Sequence, residues 1–322
     1  MTVTRDELGF DEQIEPYRTE LFAHCYRMLG SVHDAEDVVQ EAYLRAWRAR
    51  RQYDASRSSV RTWMYRIATN ACLTALSSGS RRPLPAGFVA ESDPLAPLVR
   101  GTEVTWLQPL PDAMLDAGDP ARSAVDRDSL RLAFMAALQH LSARQRAVLI
   151  LRDVLGFSAA ETAEILDATV ISVNSSLRRA RASVDASGTH PDRISEIPQA
   201  EQRILIDRYM SAFLAADVER LKQLLADDVL MEMPPMLNWF VGRQNYGAFM
   251  EWVFQAAGTD WQLTSIAANG QPGFAAYQRI GETYKLHTLQ LFTVAPDGIS
   301  RNSVFQDDEV FSSMRLPSEL DP

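Results

Sequence analysis

Three clusters of residues in this 322-residue chain have the types and spacing to do chemistry. The first is Asn174, Ser175, Arg178 and Arg179, with Arg181 beyond them. Amides, hydroxyls and guanidinium groups on the outward face of one helix read base edges in a major groove and hold phosphates. The second runs from 45 to 66 and holds Arg45, Arg48, Arg50, Arg51, Arg57, Arg61 and Arg66 against Asp54 alone, with Trp63 and Tyr65 between them. Rings interleaved with arginines suit unstacked bases of a single strand. Trp63 and Tyr65 stand two apart on a helix, so at least one of them turns into the core. The third is Asp37, Gln40 and Glu41, an acidic and amide stripe at helical spacing. Read by itself it is a solvated face in which Glu41 pairs with Arg45.

The elements that must position these groups are legible as helices. Residues 10–30 carry Ile14, Tyr17, Leu21, Phe22, Tyr26 and Leu29 at amphipathic spacing, and Gly30-Ser31 breaks the run. A strong helix follows from Ser31 to about 50, then a Ser-rich loop over 52–60, then a helix from Val60 to about Ser77. Residues 141–182 read as a support helix and a helix-turn-helix. Gly156 ends the support helix, Ser158 and Glu161 form a capping box, Asp167-Ala168-Thr169 is the turn, and a third helix begins at Val170. Between these blocks, 81–128 is proline-punctuated and acidic, a connector in which Trp106 and Leu107 either dock or form an ordinary packed loop. A second linker covers 185–200, with Gly188, Pro191 and Pro198.

From 201 onward the pattern changes. Two amphipathic helices precede VLMEMPP, a short strand ended by prolines. A helix over 246–255 and three strand candidates follow. The last of these, YKLHTLQLFTV, alternates, with Leu286, Thr288, Gln290 and Phe292 on one side and His287, Leu289 and Leu291 on the other. Asp297-Gly298 is a hairpin turn and ISRNSVFQD the closing strand.

Composition excludes several classes. The net charge is −10, but residues 83–128 hold three basic and eight acidic residues, and 201–322 hold nine and sixteen. The acidity thus sits in the first linker and the C-terminal domain, leaving a basic patch inside an acidic chain. No apolar run has the length of a membrane span and the N-terminus MTVTRDELGF is polar, so a cytoplasmic protein is expected. Cys25 and Cys72 are the only cysteines, without CxxC spacing or clustered histidines, so neither a zinc site nor a disulfide framework nor a cofactor is expected.

DAEDVVQEAYLRAW followed by RTWMYRIATNACL resembles region 2 of bacterial sigma factors of the extracytoplasmic-function (ECF) class, and 141–182 resembles their region 4. The resemblance covers about half the chain. It implies core-polymerase binding by Asp37, Gln40 and Glu41 on the clamp helices of the large subunit, with region 4 on the flap. It implies minus-10 recognition and melting by Arg57, Arg61, Trp63, Arg66 and Asn70. It implies minus-35 recognition by Ser172, Asn174, Ser175, Arg178 and Arg179, and a linker that threads the RNA channel. Asp167 stands where the family often has glycine, and Asn174-Ser175 where Lys-Ser is common. The C-terminal order of elements, with the match from Phe213 to Pro235, resembles the SnoaL-like cone. Sigma factors with such a tail, the sigma-G/sigma-J-like subset, are regulated in cis.

The expected architecture is therefore multidomain. Region 2 spans 10–80 and region 4 spans 129–184, both all-α, and an α+β SnoaL-like domain spans 201–322. Candidate pocket residues in the cone are Trp239, Trp252, Trp261, His287 and Gln290, with Tyr246, Asn269 and Gln271 beside them. They would suit an unknown small ligand. Catalysis would need His287 paired with a carboxylate, Asp307 or Glu232; a packed structural histidine is the simpler expectation, and no catalytic residue is assigned. Two rivals stand beside this reading. A polymerase-independent helix-turn-helix regulator would bind a palindrome as a dimer, and an enzyme fused to a DNA tether would turn over substrate through residues 200–322 alone.

Overall fold

The computed structural model describes residues 10, 12–78, 81–115, 128–186 and 198–322. The chain divides into two compact units, 1–82 with 114–190 and 83–113 with 191–322. Parts of both expected linkers, 116–127 and 187–197, lie outside the described residues, as does most of the polar N-terminus.

The first unit is helical: α1 (Arg18–Leu29), α2 (Val32–Ala49), α3 (Val60–Ser78), α4 (Leu132–Gln139), α5 (Ala143–Leu149), α6 (Ala159–Ile165) and α7 (Val170–Ala186). Gly30 ends α1 at φ +70°, a left-handed conformation that costs glycine nothing. Ser31 caps α2 by accepting from the Asp34 amide at 3.2 Å. Val39, Ala42, Met64, Tyr65 and Ala68 are buried between α1, α2 and α3. Tyr65 is fully buried and Trp63 half-buried, which settles which of the two rings turns inward.

Arg146 on α5 is a buried link between the two halves of this unit, beside Arg27, whose Nε donates to Ser129 at 3.1 Å. Arg146 is 2 % exposed, and it donates to the Met28 carbonyl in the last turn of α1 and to the Gln139 and Leu141 carbonyls around the end of α4. The carbonyl ends of helices carry partial negative charge, which suits a cation. Burial, and then the neighbouring charge of Arg81, lower its pKa to about 10. The helix after it does not end simply at Gly156. It passes through a π-turn, Ile150–Val154, before Gly156 reverses the chain at φ +71°. That extra winding delivers Phe157 into the interior, 3 % exposed.

The second unit is a curved sheet wrapped around helices. Helices α8 (Gln199–Leu214) and α9 (Val218–Gln223) lead into β1 (Leu225–Glu232) and β2 (Trp239–Val241). Helix α10 (Arg243–Ala257) follows, then β3 (Trp261–Ala268), β4 (Gln271–Ile280), β5 (Thr283–Ala295) and β6 (Gly298–Phe305). The short α11 (Asp308–Ser313) and β7 (Glu319–Leu320) close it. The order is β2-β1-β6-β5-β4-β3, with β7 on β5. Only the β1–β6 pair is parallel among the described strands. Tyr209, Phe213, Phe249, Phe254, Phe274 and Phe292 fill the space between helices and sheet.

Strand β5 does not alternate as its sequence suggests. Tyr277 pairs with Leu286 and Ala276 with Thr288, so His287 is the extra residue of a β-bulge. Beyond the bulge the faces exchange: Leu286 packs with Tyr277 and Tyr284, whereas Phe292 joins the helix-facing core.

The first linker also departs from expectation. Over 83–113 it belongs to the C-terminal unit. Trp239 Nε1 donates to the Val89 carbonyl at 3.0 Å and Leu237 N to the Val99 carbonyl at 2.7 Å. Asn238 holds Val99 N at 2.8 Å and Asn269 holds Leu110 N at 2.8 Å. Leu107 and Leu110 are fully buried, and Gln108 donates to Glu309 at 3.0 Å. This stretch is a strap laid on the α+β domain.

His24 gives a pH test of the helical core. Burial, then the charges of Arg27 and Arg61, lower its pKa from 6.5 to about 3, and its Nε2 lies 2.9 Å from Thr69 Oγ1. Between those pH values the unfolded chain takes up a proton that the folded chain refuses. Stability is therefore unaffected above about 6.5 and falls as the pH drops below it, by at most about 1.4 kcal/mol per pH unit. Denaturation at pH 7 and pH 5 is expected to show a larger acid loss for the parent than for His24→Gln. Equal losses would contradict it.

Candidate nucleic-acid interface

The helix-turn-helix is built by local chemistry. Ser158 and Glu161 satisfy each other's backbone amides at 2.8 and 3.1 Å, and these bonds lower the Glu161 pKa. Leu166 is buried where α6 ends, and Asp167 turns the chain at φ +47°. Thr169 then caps α7, its Oγ1 accepting from Ser172 N at 3.2 Å. Val173, Ser176, Leu177, Ala180 and Val184 form the buried stripe of α7. Ser172, Asn174, Arg178 and Arg179 are exposed and Ser175 half-buried, so the five expected reading residues share the outer side. Two cations on that helix are already engaged. Arg179 donates to Ser175 Oγ at 2.8 Å, and Arg181 donates two hydrogen bonds to the Asp153 carboxylate at 2.7 and 2.8 Å. Arg181 is thus a strut between α7 and the π-turn.

On α3, Trp63, Arg66 and Asn70 lie at i, i+3 and i+7, with Arg66 and Asn70 exposed and Trp63 packed between Phe10 and Tyr53. Arg57 is exposed in the preceding loop, which Asp54 pins by bonds to Ser56 N and Oγ at 2.9 and 2.7 Å; these bonds lower the Asp54 pKa. Arg61 departs from this group. It bonds Glu20 at 3.2 Å and sits 4.5 Å over the Phe157 ring and 5.1 Å over the Tyr65 ring. Phe157 and Tyr65 meet edge to face at 5.0 Å. The N-terminal side of the helix-turn-helix therefore occupies the α3 face that carries Arg61.

On α2, Asp37 and Gln40 are exposed and Glu41 pairs with Arg45 at 2.7 Å. Leu44, 51 % exposed, continues the same face at i+7 from Asp37. Beside it is a surface depression of about 420 Å³ lined by Ile14, Arg18, Gln40, Tyr43, Leu44 and Trp47. The acidic stripe thus borders an apolar socket. The sequence carried its signal, since Leu44 and Trp47 extend the helical spacing of the stripe.

The candidate pocket residues of the second unit fall into separate groups. Trp239 is bonded to the strap, Trp252 is 42 % exposed, and Asn269 holds Leu110. Gln290 joins a buried network in which Asn302 donates to Gln290 at 3.0 Å and to Tyr246 Oη at 2.7 Å. Tyr246 in turn lies 2.5 Å from Tyr209, and burial raises its pKa to about 12. Trp261 and His287 meet at 5.5 Å, and burial lowers the His287 pKa. The neighbour of the His287 imidazole is Gln306 at 3.5 Å, not a carboxylate. Glu232 bonds Ser303 at 2.9 Å and faces Arg301 at 3.5 Å, while Asp307 caps α11. No cluster of metal-ligating side chains occurs among the described residues, and no described helix is long and apolar enough to cross a membrane.

Two helical halves, the second a helix-turn-helix, joined to an α+β domain define the class, and comparison with known proteins agrees. Residues 13–82 match Sigma-70 region 2, residues 131–184 match Sigma-70 region 4, and 206–302 match the SnoaL-like domain. The chain is 46 % identical over 314 residues to the ECF RNA polymerase sigma factor SigG of Mycobacterium tuberculosis, spanning 97 % of this chain and 85 % of that one. It is 31 % identical over 218 residues to SigJ of the same organism, 67 % of this chain and 62 % of that one. The crystal structure of the SigJ protein superposes with a TM-score of 0.63 over 95 % of this chain and 99 % of that one, at 23 % identity. The chain belongs to the ECF RNA polymerase sigma factors, with a C-terminal SnoaL-like domain.

Phe157→Ala removes the ring between the two halves. It is expected to cost about 3 kcal/mol of stability and to speed hydrogen exchange in α3. Unchanged exchange over residues 60–70 would show that this contact does not hold α3.

Proposed function

We propose that this sigma factor binds core polymerase through the Asp37–Gln40–Glu41–Leu44 face of α2 and reads a two-part promoter. The large-subunit clamp helices would take that face, and the flap would take region 4. Minus-10 recognition and melting would use Arg57, Arg61, Trp63, Arg66 and Asn70. Minus-35 recognition would use Ser172, Asn174, Ser175, Arg178 and Arg179. The factor would work in the cytoplasm, where polymerase is, and perform no chemistry of its own.

The observation that carries this reading is the Arg61–Phe157 contact. Arg61, which this reading assigns to the minus-10 element, lies against the helix-turn-helix, whereas elements named for positions about 25 base pairs apart lie roughly 85 Å apart along B-form DNA at about 3.4 Å per pair. The packed first unit is then a resting form that polymerase and promoter pull open. The strap supports regulation in cis: the C-terminal domain grips the connector that would otherwise be free to enter polymerase. Within that domain, the bonded states of Glu232, Asp307 and Gln290 favour a structural and regulatory role over turnover.

Reconstituted transcription tests the reading. Asp37→Ala with Gln40→Ala is expected to lower core binding at least tenfold. Asn174→Ala or Arg178→Ala should leave core binding intact and weaken minus-35-dependent initiation, each by about 1–3 kcal/mol of base discrimination. Loss of core binding by either region 4 change would mean that the interfaces are misplaced. Leu107→Ala, which empties a fully buried site on the strap, is expected to change initiation on the same promoter while DNA affinity of the separate α7 face is unaltered. Identical initiation would remove the strap from the account.

A further inference from the structure

Ile171 is 83 % exposed, more than any other large apolar side chain recorded as exposed among the described residues. A single exposed aliphatic residue usually means nothing; here its place on the helix gives it meaning. It stands in the first turn of α7, and Asn174, Ser175 and Arg178 follow at i+3, i+4 and i+7. The four therefore lie in one arc of the helix surface. The buried stripe of Val173, Leu177, Ala180 and Val184 is on the other side, so the fold does not use Ile171. Val170 beside it is also 42 % exposed. The start of the helix is fixed by Thr169, which bonds Ser172 N, so this apolar tip is held in place rather than frayed.

The first turn of a recognition helix contacts base edges. In the major groove the one apolar group offered by the bases is the thymine 5-methyl, and an asparagine such as Asn174 pairs two-fold with adenine N6 and N7. An A·T pair presents both features side by side. We infer that Ile171 is a specificity residue of the minus-35 reader and packs on a thymine methyl at or next to an A·T pair read by Asn174. This rests on the proposal that α7 reads the minus-35 element.

The test uses the full chain with core polymerase and promoters selected from a library randomised at the minus-35 element. Each thymine of the selected element is replaced in turn by deoxyuridine, which keeps the hydrogen-bonding edge and lacks the methyl. Initiation by the parent is expected to fall about fourfold at one thymine, the equivalent of one buried methylene-sized group. Ile171→Ala should lose that response and keep the preference set by Asn174, and Ile171→Val should keep most of it. Indifference of the parent to every deoxyuridine, or an unchanged response in Ile171→Ala, overturns the inference. So does an Ile171→Ala defect of equal size on thymine and deoxyuridine templates, which would place the side chain against polymerase. If Asn174→Ala and Arg178→Ala also leave the minus-35 preference untouched, the reading of α7 itself fails, a different outcome from loss of the Ile171 contact alone.

Discussion

The helical unit depends on buried cations between its halves: Arg27, which donates to Ser129 at 3.1 Å, and above all Arg146. Arg146 has no carboxylate partner among its recorded bonds; its two terminal nitrogens donate to carbonyls at the ends of α1 and α4, and its Nε is left buried without a bond. Such a group is expensive to bury and costly to strand, because removing its partners leaves a desolvated charge. Region 2 and region 4 are held to each other where those carbonyls converge. The aromatic contact of Phe157 with Tyr65 and Arg61 then follows from the same docking, since the π-turn that positions Phe157 begins directly after α5. A cation bound by backbone carbonyls suits a reversible junction. Once the halves part, both the guanidinium and the carbonyls are met by water, and the loss on opening is the modest net worth of exchanged hydrogen bonds.

The second unit is held differently. Its core is aromatic and continuous, and part of its polar interior is a bonded chain, Tyr209–Tyr246–Asn302–Gln290. Side chains that would line a ligand cavity in an open cone are here bonded to one another or to the strap. The strap is held chiefly through its own backbone, by Asn238, Trp239 and Asn269, with Leu107 and Leu110 as the apolar anchors. A connector fixed in this way is part of a domain rather than a tether.

Much of this was legible in the sequence, for local reasons. Gly30, Gly156, the Ser158–Glu161 box and the apolar periods set the helix ends, and those signals are short-range. The parts that were not legible depend on distant partners. Arg146 has the same letter as a surface arginine, and nothing near it in sequence announces the Met28 carbonyl from another helix. Backbone groups of the strap carry no side-chain signature, so the sequence left open whether Trp106 and Leu107 dock or form a packed loop. Strict alternation in β5 misplaced the faces because a bulge at His287 inserts one residue. Arg61, Arg179 and Arg181 matched a nucleic-acid pattern, yet each has an intramolecular partner in the folded chain.

The central claim is that the two DNA readers rest against each other and part on the promoter. The distance between labels on α3 and α7, measured by energy transfer in the free chain and in the open complex with core polymerase, tests it most directly. The account predicts a short distance in the free chain and an increase toward roughly 85 Å in the complex, the scale set by about 25 base pairs of duplex. An equal distance in both states would contradict it.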